Sequence, residues 1–243
     1  MAKIINFSPN FSKKLRKKTD IRFVILHYTG MQSEIESIKR LVNPKSKVSC
    51  HYFINKKGKI TRMVNENRVA WHAGKSKWKK FKNLNHNSIG IELENRGHQF
   101  GYENFPNLQI RSLINICKYL KRKYKIKGEN FLGHSDIAPN RKLDPGEKFP
   151  WKKLSKFNLG VWYNERLINS EQSKHIENFS SKQFFQNLHK IGYRYFSISK
   201  RRSEDKFVIK AFQRKYLPTL ISGKIDNKTA KICHFLANNF KLT

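Results

Sequence analysis

Residues 21–29, IRFVILHYT, are apolar on both faces of an extended chain, the pattern of a central sheet strand covered on each side. A polar, helix-like stretch from Ser33 to Val42 follows. VSCHYFIN and KITRMV flank the Gly-containing turn at Lys56–Lys59 and predict a β-hairpin. Ser88 to Glu94 alternates strictly, with Ile89, Ile91 and Leu93 on one face and Ser88, Gly90, Glu92 and Glu94 on the other. From about Asn107 to Lys125, Leu113, Ile116, Cys117, Leu120 and Tyr124 recur at helical spacing. Phe131-Leu132-Gly133 predicts a short strand leading into His134. Strands mixed with helices make this an α/β domain, a central mixed β-sheet flanked by helices, that ends near residue 160.

Beyond it the pattern changes. Residues 164–180 are polar with no strong period and read as a linker between a domain at 1–163 and a smaller one at 181–243. The smaller one predicts three short helices, with faces built from Phe184, Phe185, Leu188 and Ile191, then Val208, Ala211 and Phe212, then Thr229, Cys233, Leu236 and Phe240. Asp226 stands where it would cap the last of these, with Thr229 three residues on.

Charge widens the field of partners without choosing one. Fifty-one Lys+Arg against 17 Asp+Glu give a net charge of +34, a field that attracts nucleic acid, anionic wall polymer or an acidic membrane surface. The cations are spread along the whole chain and gather at no RNA-binding signature, so no specific nucleic-acid partner is expected. Cys50, Cys117 and Cys233 are too few and too far apart for a disulfide framework. No apolar run approaches 18 residues, so no membrane span is expected. The N-terminus lacks the apolar stretch of a secretory signal, which taken literally indicates the cytoplasm.

The residues with metal chemistry lie at predicted strand ends. His27 closes the first central strand, His134 follows FLG, and Asp144 lies ten residues further on. Two imidazoles and a carboxylate form a catalytic zinc set that leaves a fourth position for water. They meet only if both strands end at one edge of the sheet. Spacing alone also admits Asp136 as a ligand, and leaves Glu92 and Glu94 equivalent on their strand face.

Five segments in order, HYTG at 27–30, VSCHYFI at 48–54, WHAG at 71–74, SIGIELEN at 88–95 and HSDIAPNRKLDPG at 134–146, resemble the type 2 family of N-acetylmuramoyl-L-alanine amidases, whose fold is shared by peptidoglycan recognition proteins. The resemblance covers roughly residues 20–155. It implies one zinc ion held by His27, His134 and Asp144, with Asp136 set aside, and catalytic roles for Glu92 and Lys142. His51, Trp71, His72 and Asn95 are expected to contact substrate. In the recognition-protein branch a tyrosine precedes the histidine of the second segment and a cysteine is the third metal ligand. Here those positions hold Cys50 and Asp144, which sets the chain with the bacterial branch that uses Asp. Residues 207–213 and 223–230, FVIKAFQ and GKIDNKTA, resemble a three-helix peptidoglycan-binding domain.

The resemblance implies an enzyme that cuts the amide between N-acetylmuramic acid and L-alanine in peptidoglycan or muropeptides; a monomer is expected, though nothing in the sequence fixes the oligomeric state. A module that binds muropeptide without cutting it belongs to the same superfamily, but there a metal ligand is typically lost. A wall-binding module points to the cell envelope or periplasm, against the reading of the N-terminus, so the compartment stays open.

Overall fold

The computed structural model describes residues 8–169 and 180–239. Its centre is a five-stranded mixed sheet of β1 (Phe23–Tyr28), β2 (Tyr52–Ile54), β3 (Ile60–Arg62), β4 (Ser88–Leu93) and β5 (Phe131–Gly133), in the order β3-β2-β4-β1-β5. β1 runs parallel to both β4 and β5, β2 runs parallel to β4, and β2 and β3 form the antiparallel hairpin expected from the turn at 56–59. Two small antiparallel pairs, Phe11–Ser12 with Val69–Ala70 and Lys77–Trp78 with Phe81–Lys82, lie outside it.

Both faces of β1 are buried, as its unbroken apolar run requires. On one face Val24 and Leu26 join Ile89 and Ile91 of β4 under Leu113, Cys117 and Leu120 of helix α2 (Asn107–Tyr124). Helix α1 (Glu34–Val42) begins at Ser33, whose side chain accepts from the Glu36 amide at 3.2 Å. The short helices α3 (His134–Ile137) and α4 (Trp151–Ser155) follow β5.

The opposite face carries Phe23, Ile25 and Leu132, and its apolar cluster continues through Trp78 and Leu84 into the C-terminal helices. These are α6 (Ser181–Ile191), α7 (Asp205–Tyr216) and α8 (Asn227–Asn239). Phe184, Phe185, Leu188, Phe212, Cys233 and Leu236 are buried in this cluster together with the sheet residues. Asp226 caps α8 as expected, accepting from the Thr229 amide at 2.9 Å and from its hydroxyl at 2.8 Å. Phe240, read as part of the last helical face, lies outside the described residues.

The stretch read as a linker starts differently. Residues Glu165–Asn169 form helix α5, and Ile168 is buried in the same cluster as the three C-terminal helices. A single apolar side chain on one turn of helix is enough to dock a segment whose polar composition suggested none. Residues 170–179 lie outside the described part. None of the described helices is long and apolar enough to cross a membrane.

Candidate metal centre and catalytic cleft

Three parallel strands deliver the site. His27 is the penultimate residue of β1 and lies in register with Glu92 on β4, while Leu26 pairs with Gly133, the last residue of β5, so His134 emerges beside His27. This is the carboxyl end of a parallel sheet, where α/β folds collect ligands. Asp144 arrives on the loop after α3, and its carbonyl accepts from the Ser135 amide at 2.9 Å.

His27, His134 and Asp144 are all buried and together could hold a metal ion. Nδ1 of His27 lies 3.1 Å from Nδ1 of His134 and 2.8 Å from Oδ2 of Asp144, which is itself 3.1 Å from Nδ1 of His134. The surrounding hydrogen bonds fix the tautomers. Ser88 donates its hydroxyl to the Leu84 carbonyl at 2.6 Å, so its oxygen accepts from Nε2 of His72 at 3.3 Å. His72 therefore presents a bare Nδ1, which accepts from Nε2 of His27 at 3.0 Å. His134 donates from Nε2 to the Ala73 carbonyl at 3.1 Å. With the two Nε2 atoms engaged in this way, both Nδ1 atoms face the Asp144 carboxylate, the side from which each ring can ligate a metal ion.

Two ring nitrogens and a carboxylate oxygen within 3.1 Å of one another are a donor set that suits a divalent cation. Tetrahedral coordination at 2.0–2.1 Å would set such donors about 3.3 Å apart, so only a slight opening of the trio is needed. Electrostatics agree. Burial pushes the His27 imidazole down to about 4, leaving it neutral and ready to ligate. Burial alone would raise the Asp144 carboxyl, but in the metal-free site the charge and hydrogen bonds of His134 and the hydrogen bond of His27 outweigh it and hold it well below the ordinary carboxylate range; a metal ion would take the place of the protons these groups share.

The trio opens on a cleft of about 370 Å³ that Glu92, Lys142, Trp71 and His72 also line. Oε2 of Glu92 is buried and has no hydrogen-bond partner among the described residues. Burial, and then the nearby Asp144 charge, push its carboxyl well above the usual range, while Lys142 and Arg40 pull the other way. A carboxyl held in this way takes up a proton more readily than an exposed one, which suits it to carry a proton.

Two residues expected at the substrate do not face the cleft. His51 is buried beneath it, with Nδ1 accepting from the Gly90 amide at 3.0 Å and Nε2 facing the Arg68 carbonyl at 3.1 Å. Asn95 is buried as well, donating to the Glu103 carbonyl at 2.9 Å and accepting from the Gly97 amide at 3.0 Å. These polar contacts run to the protein's own backbone, and neither residue lines the cleft. His72 lines the cleft, but both its ring nitrogens are spent on His27 and Ser88.

Other residues of the cleft carried no sequence signal of their own. His98 and Arg40 line it from a loop and an exposed helix position. Arg141, beside Lys142, donates to the Ala73 and Lys75 carbonyls and so fixes the peptide that orients His134. Gly90 has a packing reason that alternation could not show, since a Cβ there would lie 2.3 Å from the His72 ring.

Residues 17–147 match the family model described as N-acetylmuramoyl-L-alanine amidase. The chain is 35% identical over 235 residues to the N-acetylmuramoyl-L-alanine amidase AmiD of Escherichia coli, covering 90% of this chain and 83% of that protein. The structure of AmiD in complex with the substrate anhydro-N-acetylmuramic acid-L-Ala-D-gamma-Glu-L-Lys superposes with a TM-score of 0.80 at 32% identity, over 94% of this chain and 92% of that one. AMPDH3 of Pseudomonas aeruginosa, in complex with anhydromuramic pentapeptide, gives a TM-score of 0.81 at 29% identity over 97% of both chains. With its buried His-His-Asp trio at the carboxyl edge of the sheet and likeness along nearly its whole length, this chain belongs to the N-acetylmuramoyl-L-alanine amidase family and is a hydrolase of that activity.

Proposed function

We propose that this amidase holds one zinc ion on His27, His134 and Asp144 and hydrolyses the lactyl amide between the muramic acid and L-alanine of anhydromuropeptides. The observation that carries the reading is the convergence of two ring nitrogens and a carboxylate oxygen on one buried point in the cleft. Nitrogen and carboxylate donors in that number fit zinc, and the cleft above leaves room for water and substrate. Both AmiD and AMPDH3, similar to this chain over nearly its full length, bind anhydromuramyl peptides in their solved complexes, which supports the same substrate class here.

Held by His27, His134 and Asp144, a zinc ion would supply Lewis acidity toward the scissile carbonyl and would lower the pKa of water. Glu92 takes the proton of the attacking water and passes it to the departing alanine amine, a transfer suited to a carboxyl whose pKa burial has raised. The ammonium of Lys142, on the same cleft wall as Asp144, stabilises the negative charge that gathers on the substrate carbonyl oxygen. Trp71 offers its half-buried ring as a wall for the substrate.

On their sequence likeness, the C-terminal helices carry a second role in holding polymeric wall. We read the chain as a monomer acting on soluble muropeptide and wall alike. Digestion of an anhydromuropeptide followed by mass spectrometry tests the main claim: free peptide and the intact anhydro sugar are expected. Cleavage within the peptide, or between sugars, would contradict it.

A further inference from the structure

Arg214 and Lys215 are consecutive residues of α7, and they reach opposite ends of the segment that carries His134, Lys142 and Asp144. Nζ of Lys215 lies 2.6 Å from Oδ2 of Asp136, two residues beyond His134. The same carboxylate accepts from the Tyr193 hydroxyl at 2.7 Å and from the Gly133 amide at 2.8 Å. Both charges are removed from water, Asp136 being 1% and Lys215 4% exposed. Lys215 also sits 4.1 Å from the centre of the Trp151 ring. At the other end, Nε of Arg214 pairs with Oε2 of Glu147 at 3.5 Å, an ion pair too long to be a hydrogen bond. Glu147 in turn pairs with Nε2 of His98 at 3.0 Å, and Nδ1 of His98 meets the hydroxyl of Tyr28, the neighbour of His27, at 2.9 Å.

After the four residues of α3 the segment from 134 to 147 is turns and loop, held by a few local backbone bonds such as the Ser135 amide to the Asp144 carbonyl at 2.9 Å and not by a strand ladder. Contacts from neighbouring elements therefore share in setting its geometry. A solvated ion pair at a domain boundary would contribute little. A fully buried one differs, because removing one partner strands the other's charge in an apolar surround. The apolar cluster shared by the sheet and α6–α8 places these polar contacts inside a common core and not across an open seam.

We propose that α7 is a brace for the metal-ligating segment, with Lys215 and Arg214 as positioning residues for His134 and Asp144. The C-terminal helices then serve the cleavage of small soluble substrates as much as the capture of wall. The inference rests on the reading of His27, His134 and Asp144 as metal ligands.

The full chain carrying Lys215→Met tests it, well below its melting temperature. Outer contacts of this kind change metal affinity by about 10- to 100-fold. Expected are a loss of zinc affinity of that size in chelator competition, a matching fall in kcat on soluble anhydromuropeptide with KM little changed, and faster amide exchange across residues 134–147. A folded Lys215→Met protein that keeps wild-type zinc affinity, kcat and exchange, and loses only binding to insoluble wall, overturns the brace. If Lys215→Met does not fold, Arg214→Gln decides the matter by the same three readouts and the same outcomes. If the wild type itself takes up no zinc, the metal reading has failed, and the brace stands or falls on the exchange of residues 134–147 alone.

Discussion

His27 and Glu92 are register partners on adjacent parallel strands, so the sheet ladder itself fixes the distance between a metal ligand and the proposed proton carrier. Neither depends on a loop for its place. Changing the chemistry of Glu92 while keeping its shape should therefore separate the two functions. Glu92→Gln is expected to bind zinc as the wild type does and to lose about 10²- to 10⁴-fold in kcat, the usual share of general acid–base catalysis. Its melting temperature should stay near that of the wild type, since the amide has almost the shape of the carboxyl and removes the penalty of burying a charge. Paired measurement of metal content and turnover checks this; a variant near the wild-type rate would remove Glu92 from the mechanism.

The tautomer of His27 is held at one remove, by His72 and Ser88. His72→Ala deletes the acceptor of the Nε2 proton and should weaken zinc affinity about 10- to 100-fold. Gly90→Ala is expected to act in the same direction without touching a polar group, because its Cβ would press on the His72 ring. Chelator competition measures both. An unchanged affinity in His72→Ala would mean that the imidazole of His27 is oriented by something else.

Buried histidines make the stability depend on pH. Burial, followed by the charges of neighbouring groups, holds His51 and His72 well below the ordinary imidazole value. Folded, they bind fewer protons than the unfolded chain does near pH 6.5. The stability they contribute is thus fully present above about pH 6.5 and is lost as pH falls below it, by up to about 1.4 kcal/mol per pH unit for each residue. Glu92, raised by burial, works in the opposite sense and offsets part of this. Thermal unfolding of metal-free protein between pH 8 and pH 5 should show a falling midpoint on the acid side, and a flat profile would contradict the assignment.

Much of the sheet was legible because parallel strands buried on both faces read as unbroken apolar runs, as at 23–28, and the hairpin because its turn carries Gly58. The meeting of His27 with His134 was legible only as a condition, that both strands end at one edge of the sheet, and the parallel pairing of β1 with β5 meets it. Choosing Asp144 over Asp136 did not, since both lie within reach of His134 in sequence. In the fold Asp136 turns away to Lys215 and Tyr193, while Asp144 joins the histidines. His51 and Asn95 were out of reach for a different reason: a polar residue in a loop or strand flank gives no sign of whether its hydrogen bonds go inward or to a ligand. The docking of the C-terminal helices was hidden similarly. The apolar positions of β1 announce that both faces are covered, but not by which element.

Zinc binding by the trio is the claim from which the rest follows, and it is most directly tested by stripping the protein with chelator and titrating zinc back at neutral pH, in the wild type and in His27→Ala. The account predicts one tightly bound equivalent per chain with return of anhydromuropeptide cleavage, and loss of both in the variant. Full cleavage by metal-free wild type, or equal zinc uptake by His27→Ala, would contradict it.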